Sequence, residues 1–274
     1  MTSQHHPMNA RRALALLLAL CLAPAAAAEE SADEALFRAS QNPASNLVDI
    51  SVRNETSFGI GHKRRTGNAT YIEPSFPTAI SEAFILAHRI RVPLVWQPEV
   101  NARIGGAFGV GDLGYELYLA QSNPGPVTWG AGGALLLPSG TDDRISEHKW
   151  ASGLAAAVNG SVGRLALGVD ARQLWTWASA GSYPEVNRLT LEPQASLALG
   201  RGWFLATAPI ITADWKRAGA DVWTVPLGGG VAKLVSPGGQ KILLSVHAYG
   251  NVVHPRAAYP EWTLRAGLAF LFPR

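Results

Sequence analysis

The chain closes on 261-EWTLRAGLAFLFPR-274. Trp262, Leu264, Ala266, Leu268, Phe270 and Phe272 fall on one face of a period-two pattern, with Thr263, Arg265, Gly267 and Ala269 on the other. Successive strand residues point to opposite faces, so this is a β-strand with one apolar side. Terminal residues of soluble domains are usually poorly ordered unless something ties them down. An aromatic-ended strand here needs a partner along its length, and pairing with the first strand would close the sheet into a barrel. A closed barrel leaves no unpaired amide edge, the condition for crossing lipid with strands.

The same rhythm recurs upstream. Leu165, Leu167, Val169 and Ala171 alternate with Arg164, Gly168, Asp170 and Arg172, and Ile242, Leu244 and Val246 oppose Ser245, His247 and Tyr249. Twelve such segments can be marked: 47–59, 69–79, 83–94, 107–120, 127–138, 149–159, 163–177, 187–199, 202–215, 221–235, 240–253 and 261–272. Connectors alternate between short turns (Ser81-Glu82, Gln121–Pro126, Gly160–Val162, Gly200-Arg201, Ser236–Gly239) and longer loops, including 60–68, 95–106 and 139–148. The fold class read from this is all-β: a transmembrane, up-and-down, antiparallel barrel of about 12 strands over residues 46–274, with short periplasmic turns and longer outer loops.

Composition decides which face is wet. Hydrophobic residues make up 47% of the chain and charged ones only 16%, so greasiness must be hidden in alternation. All five lysines (Lys63, Lys149, Lys216, Lys233, Lys241) fall in loops or at strand ends. A lysine or arginine facing lipid at the midplane costs about 2–4 kcal/mol, which excludes it from strand centres. Trp203 and Trp215 share a face twelve residues apart, roughly 28 Å along the membrane normal at a tilt near 45°. With Trp129, Trp150, Trp175, Trp177, Trp223 and Trp262 near strand ends, they read as two aromatic girdles.

Residues 1–28 hold no acid, two arginines (Arg11, Arg12), an apolar run from Ala13 to Leu22, and an alanine-rich end. That pattern is a secretory signal peptide, expected to be cut after Ala28. Its removal takes two arginines and no acid, so the formal charge falls from +3 to +1 and nothing points to nucleic acid. Cys21 is the one cysteine, so the mature chain has neither disulfide nor thiolate site. Residues 29–45 are acidic and then weakly amphipathic. They read as a short periplasmic segment or a plug for the lumen.

On this register the lumen side carries Arg53, Arg89, Arg91, Arg164, Arg172, Arg188 and Arg265, with Asp49, Glu55, Glu73, Glu116, Asp170, Glu192 and Asp214. His247 and Tyr249 share that side. Seven bases against seven acids read as a ladder of ion pairs, since charges away from bulk water must be paired, or as a polar constriction selecting solutes. Ser245 and His247 face the same way with Asp170 or Asp214 across the lumen, which leaves a lipid hydrolase open as an alternative. His88 stands on the apolar side as an irregularity. Leu227–Gly230 lacks the lysine of a phosphate loop and reads as small residues letting the barrel bend. Asp142, Asp143 and Glu147 read as a solvated outer loop, with a divalent cation as the alternative.

Several stretches resemble one bacterial family: WGAGGALLLPSGTDD (129–143), APIITADWKRAGADVWTVPLGGGVAKLV (208–235), AYGNVVHP (248–255) and WTLRAGLAFLFPR (262–274). RIRVPLVWQP and GVGDLGYELYLAQS fit as well. They resemble the outer-membrane proteins labelled "MetA-pathway of phenol degradation", also called transporters and, misleadingly, neuromedin U. The resemblance implies a conduit for aromatic or other hydrophobic small molecules and supplies no catalytic residue. The expected protein is a non-enzymatic channel without cofactor or metal in a bacterial outer membrane. Its expected partners are outer-membrane lipid and lipopolysaccharide, the barrel-insertion machinery through the last strand, and a small solute. A non-conducting structural or adhesive barrel acting through its outer loops is the other reading.

Overall fold

The computed structural model describes residues 31–100, 105–123, 125, 127–179, 185–256 and 259–273. The signal peptide expected over 1–28 lies outside the described residues.

The strands are β1 (Val48–Ile60), β2 (Arg65–Ala79), β3 (Phe84–Gln97), β4 (Ala107–Val110), β5 (Leu113–Gln121), β6 (Val127–Leu137) and β7 (Lys149–Val162). They continue as β8 (Leu165–Ser179), β9 (Asn187–Gly200), β10 (Trp203–Thr207), β11 (Ile211–Asp214), β12 (Trp223–Val235), β13 (Lys241–Val253) and β14 (Trp262–Phe272). Both β4 and β5 pair with β3, and both β10 and β11 pair with β9 and β12, so each couple is one interrupted wall strand. The result is a closed, antiparallel, 12-stranded transmembrane barrel. Its seam is the pairing of β1 with β14, from Val48↔Phe272 to Phe58↔Trp262 without a slip. Every backbone group along the terminal strand therefore has a partner on both sides.

Alternation then sorts the side chains. On β14, Leu271 and Ala269 are buried inside while Phe272, Leu264 and Trp262 face out. On β13, Leu243, His247 and Tyr249 are buried and Leu244, Val246 and Val252 are exposed. Seven of the eight expected girdle tryptophans, Trp129, Trp150, Trp175, Trp177, Trp203, Trp215 and Trp262, are exposed on the outer wall. The eighth, Trp223, packs edge-on against Trp215 with centroids 5.6 Å apart. Trp96, at the end of β3, joins them and was missed because it borders a proline-containing loop. Lys233 lies near the end of β12, and its ammonium sits 4.9 Å over the Trp203 ring while donating to Arg201 O. The long stem reaches along the wall and keeps the charge at the interface.

Two boundaries differ from the sequence reading. The loop expected at 60–68 is a four-residue turn, closed by Arg64 N–H to Gly61 O at 3.0 Å, because β2 begins at Arg65. The turn expected at Gly160–Val162 falls at Gly163-Arg164, where Gly163 has φ 57, a conformation glycine adopts without strain. That shift removes Arg164 from the interior face. It sits exposed in the turn between β7 and β8.

The segment before the barrel forms helix α1 (Ala32–Gln41), opened by a capping box in which Ser31 Oγ accepts from Glu34 N–H and Glu34 accepts from Ser31 N–H. The helix lies inside the barrel mouth. Phe37 is 2% exposed and stacks on Phe204 at 3.9 Å, among Ala198, Ala232, Leu234, Leu243 and Leu271 on the inner faces of five strands. Asp33 pairs with Lys241 at 2.9 Å. The chain then crosses to the opposite wall, where Ala44 is fully buried against Tyr118, Ala120 and Ala134. Gly130 is part of that fit, since a Cβ there would stand 2.4 Å from the Ala44 methyl.

This sorting makes the two faces unequal. Leu191→Arg puts a guanidinium on the lipid side of β9 at a cost of about 2–4 kcal/mol near the midplane, so the folded, heat-modifiable fraction on gels should fall. Arg188→Ala, one turn of the alternation away and facing in, should leave that fraction unchanged.

Candidate functional site

Above α1 the lumen is crossed by a belt of charge. Arg172 on β8 binds Glu116 on β5 at 2.6 Å, Glu192 on β9 at 2.5 Å and Asp170 at 3.5 Å. Strands β6 and β7 separate β5 from β8, so the Arg172–Glu116 contact is a chord through the interior rather than a neighbour contact along the wall. Arg91 holds Glu73 at 2.5 Å and Glu116 at 3.5 Å, and Arg89 lies 3.8 Å from Glu116 and 3.9 Å from Asp170. Arg53 reaches Glu55 at 3.1 Å and Glu73 at 3.3 Å, while Arg265 reaches Glu55 at 2.9 Å. These contacts link β1, β2, β3, β5, β8, β9 and β14 into one network. Each arginine meets at least one carboxylate, as burial requires: one unpaired buried ion costs several kcal/mol.

Aromatic rings face the same space. The Tyr118 hydroxyl lies 3.0 Å from both Glu116 and Asp170. Arg53 stands 4.6 Å over the Tyr71 ring and Arg265 4.7 Å over Tyr249. Tyr71 and Tyr118 were not singled out from sequence. Their phase could have found them, since each lies two residues from a belt glutamate, Glu73 or Glu116, and so shares its face. Between the belt and α1 lies a cavity of about 160 Å³, lined in part by Asp49, Ser75, Gln194, Ser245 and His247.

Not every charge read as interior joins this belt. Arg188 pairs instead with Glu147 of an outer loop at 2.5 Å, and Asp214 with Arg217 at 2.9 Å, both half-exposed at the outer mouth. The outer-loop acids each have a different partner: Asp142 has Arg144 at 2.6 Å and Asp143 has His148 at 3.1 Å, besides Glu147 with Arg188. Hydrogen bonds from Arg144 hold the Asp142 carboxyl down to about 2.

The hydrolase alternative needs a serine hydrogen-bonded to a histidine that an acid orients. Among the described residues no hydrogen bond joins Ser245 to His247, His247 Nδ1 has no partner, and Asp170 is held by Arg172, Arg89 and Tyr118. His88 is not an irregularity. The alternation runs through it unbroken, and on the outer wall its ring bonds Tyr115 Oη at 2.7 Å and Thr78 Oγ1 at 3.1 Å while stacking on Phe76. A polar side chain facing lipid is tolerated when its neighbours satisfy it.

No protein-family model matches the sequence, and no curated protein matches it. Solved structures do. The chain is similar to the COG4313 outer membrane channel from Pseudomonas putida F1, with a TM-score of 0.63 at 17% identity over 83% of this chain and 96% of that one. It is also similar to the NanC porin, at 0.51 and 10% identity over 81% and 98%. A looser likeness, at 0.46 and 10% identity over 90% and 94%, is to the CymD monoaromatic hydrocarbon channel. At such identities the likeness is one of fold, and the fold is that of outer-membrane barrels.

Proposed function

We propose that this chain is an outer-membrane channel for passive passage of small molecules, narrowed at two levels: by α1 at the periplasmic mouth and by the arginine–carboxylate belt above it. The observation that carries this reading is the set of chords across the lumen, Arg172–Glu116 above all, because they line the interior with polar groups instead of packing it with hydrocarbon. Packed apolar side chains would need no compensating pairs, so the retained pairs support a lumen kept polar. The aromatic girdles and the signal-peptide pattern of the sequence support an outer-membrane location on the same reading.

The solute we favour is flat and hydrophobic or aromatic. Support comes from the resemblance of the sequence and from the Tyr71 and Tyr249 rings, which sit under the Arg53 and Arg265 guanidinium groups on the inner wall. The structural or adhesive reading stands against it, and planar-bilayer recording separates the two: a barrel that stays closed at every potential would sink the channel reading.

Two results are expected from such recordings. Removing α1 by deleting residues 31–41 should raise single-channel conductance severalfold, because Phe37 and its neighbours fill the periplasmic half of the lumen. Conductance equal to that of the whole chain would show that the belt alone limits flow. Glu116→Gln removes the carboxylate that three arginines share, so the reversal potential in a salt gradient should shift toward anion preference, with insertion retained.

A further inference from the structure

We propose that the outer wall over β6 and β7 holds one acyl chain of lipopolysaccharide in a groove built for it, a site separate from the lumen and independent of what the lumen conducts. Two rows of outward residues cross this wall. One is Tyr115↔Leu135, Leu135↔Ser152, Ser152↔Trp175, and the other Leu117↔Gly133, Gly133↔Leu154, Leu154↔Gln173. Most lipid-facing positions nearby carry leucine, valine or tryptophan. Here Gly133 and Ser152 stand diagonally adjacent and leave a depression of about 520 Å³ rimmed by Tyr115, Leu117, Leu135, Leu154, Trp175 and Trp177. The rim is fully on the outside: Leu154 is 67% and Trp177 62% exposed.

The surroundings fix the kind of occupant. A concavity in hydrocarbon that nothing fills forfeits the dispersion contacts of its whole lining. At this depth only a lipid chain is available to supply them. The leaflet follows from the strand direction. Lys149 opens β7 next to the outer loop, and Trp150 packs against Trp177 at 6.0 Å on the outer rim. Ser152 lies two residues further along the same face, roughly 5 Å below that rim for a strand tilted near 45°. The groove therefore opens in the outer leaflet, the lipopolysaccharide side of an outer membrane, at the level of its acyl carbonyls. The Ser152 hydroxyl makes no hydrogen bond among the described residues and is placed to donate to such a carbonyl. The chain below would then lie over Gly133, between Leu117 and Leu154.

The groove can be filled without breaking the wall. A Cβ on Gly133 would come no nearer than 3.4 Å to Gly153 O, whereas one on Gly153 would stand 1.7 Å from Gln173 O. Gly133→Leu is thus the variant of choice, and Ser152→Ala removes only the hydroxyl. Protein extracted from outer membranes and washed in detergent would be examined by native mass spectrometry, then titrated with purified lipopolysaccharide and, separately, with phosphatidylethanolamine. Wild type should keep one lipopolysaccharide and prefer it at least tenfold over phosphatidylethanolamine. Gly133→Leu should lose that adduct at least tenfold and Ser152→Ala a few-fold, both with unchanged heat-modifiability and conductance. Equal retention by Gly133→Leu, or equal binding of both lipids by wild type, would overturn the proposal. If Gly133→Leu does not assemble, Ser152→Leu fills the other end of the groove and carries the same expectation. Loss of conductance in wild type would bear on the channel reading and leave this one standing.

Discussion

Everything in this molecule follows from one requirement: a strand in hydrocarbon must have all its amides bonded on both sides. The seam between β1 and β14 meets it, with eleven consecutive residue pairs from Val48↔Phe272 to Phe58↔Trp262. Closure turns alternation into an inside and an outside. Any charge at mid-strand must then face the lumen, where water is scarce, and must find a counter-charge there. The belt of five arginines is the consequence of that constraint, and so is its geometry. Partners are found across the barrel as readily as along it, which is why Arg172 reaches Glu116 three strands away.

The lumen is divided by the same logic into layers. At the end that holds α1 the inward residues are alanine, leucine and phenylalanine, and they leave room for an apolar helix face rather than for ions. Phe37 fills that room, and Ala44 fills the facing side because Gly130 has no side chain to contest it. Higher up, the inward positions become arginine, glutamate and tyrosine. The small cavity lies at the boundary between the two layers, bordered by serines, Asp49 and His247, where neither kind of packing is complete.

How much of this could be read from sequence depends on whether a property is carried by one strand or by several. Period-two alternation is local, so the number of wall strands, the outward face of Leu264 or Val246, and the inward face of Arg53 and Arg265 were all legible in single segments. Turn positions were less so. Val162 looks like a turn residue until Gly163 supplies the positive φ that lets the strand run on, and that single step takes Arg164 out of the barrel. What lay beyond reach was anything set by shear between strands. Arg188 and Asp214 alternate inward like Arg172, but their height along the axis puts them at the outer mouth, beside Glu147 and Arg217. Height is fixed by the stagger of neighbours, which no single segment encodes.

The break at residues 208–210 shows the lumen and the wall supporting each other. The ladder from β9 reaches β10 at Ala195↔Thr207 and resumes with β11 at Leu191↔Ile211, so 192–194 and 208–210 face one another without strand pairing. Pro193 and Pro209 bring no N–H to this stretch, which lowers the number of donors left over. Ala208 turns its remaining groups inward, where its N–H donates to Tyr249 Oη at 3.0 Å and its carbonyl accepts from Arg265 Nη1 at 2.7 Å. Thr207 Oγ1 donates to Gly228 O at 2.8 Å on the other flank. Arg265 is thus shared between Glu55 of the belt and the backbone of the wall. The charge that narrows the lumen also satisfies the wall where β10 gives way to β11, and Tyr249, the ring beneath that guanidinium, accepts the N–H of the same Ala208.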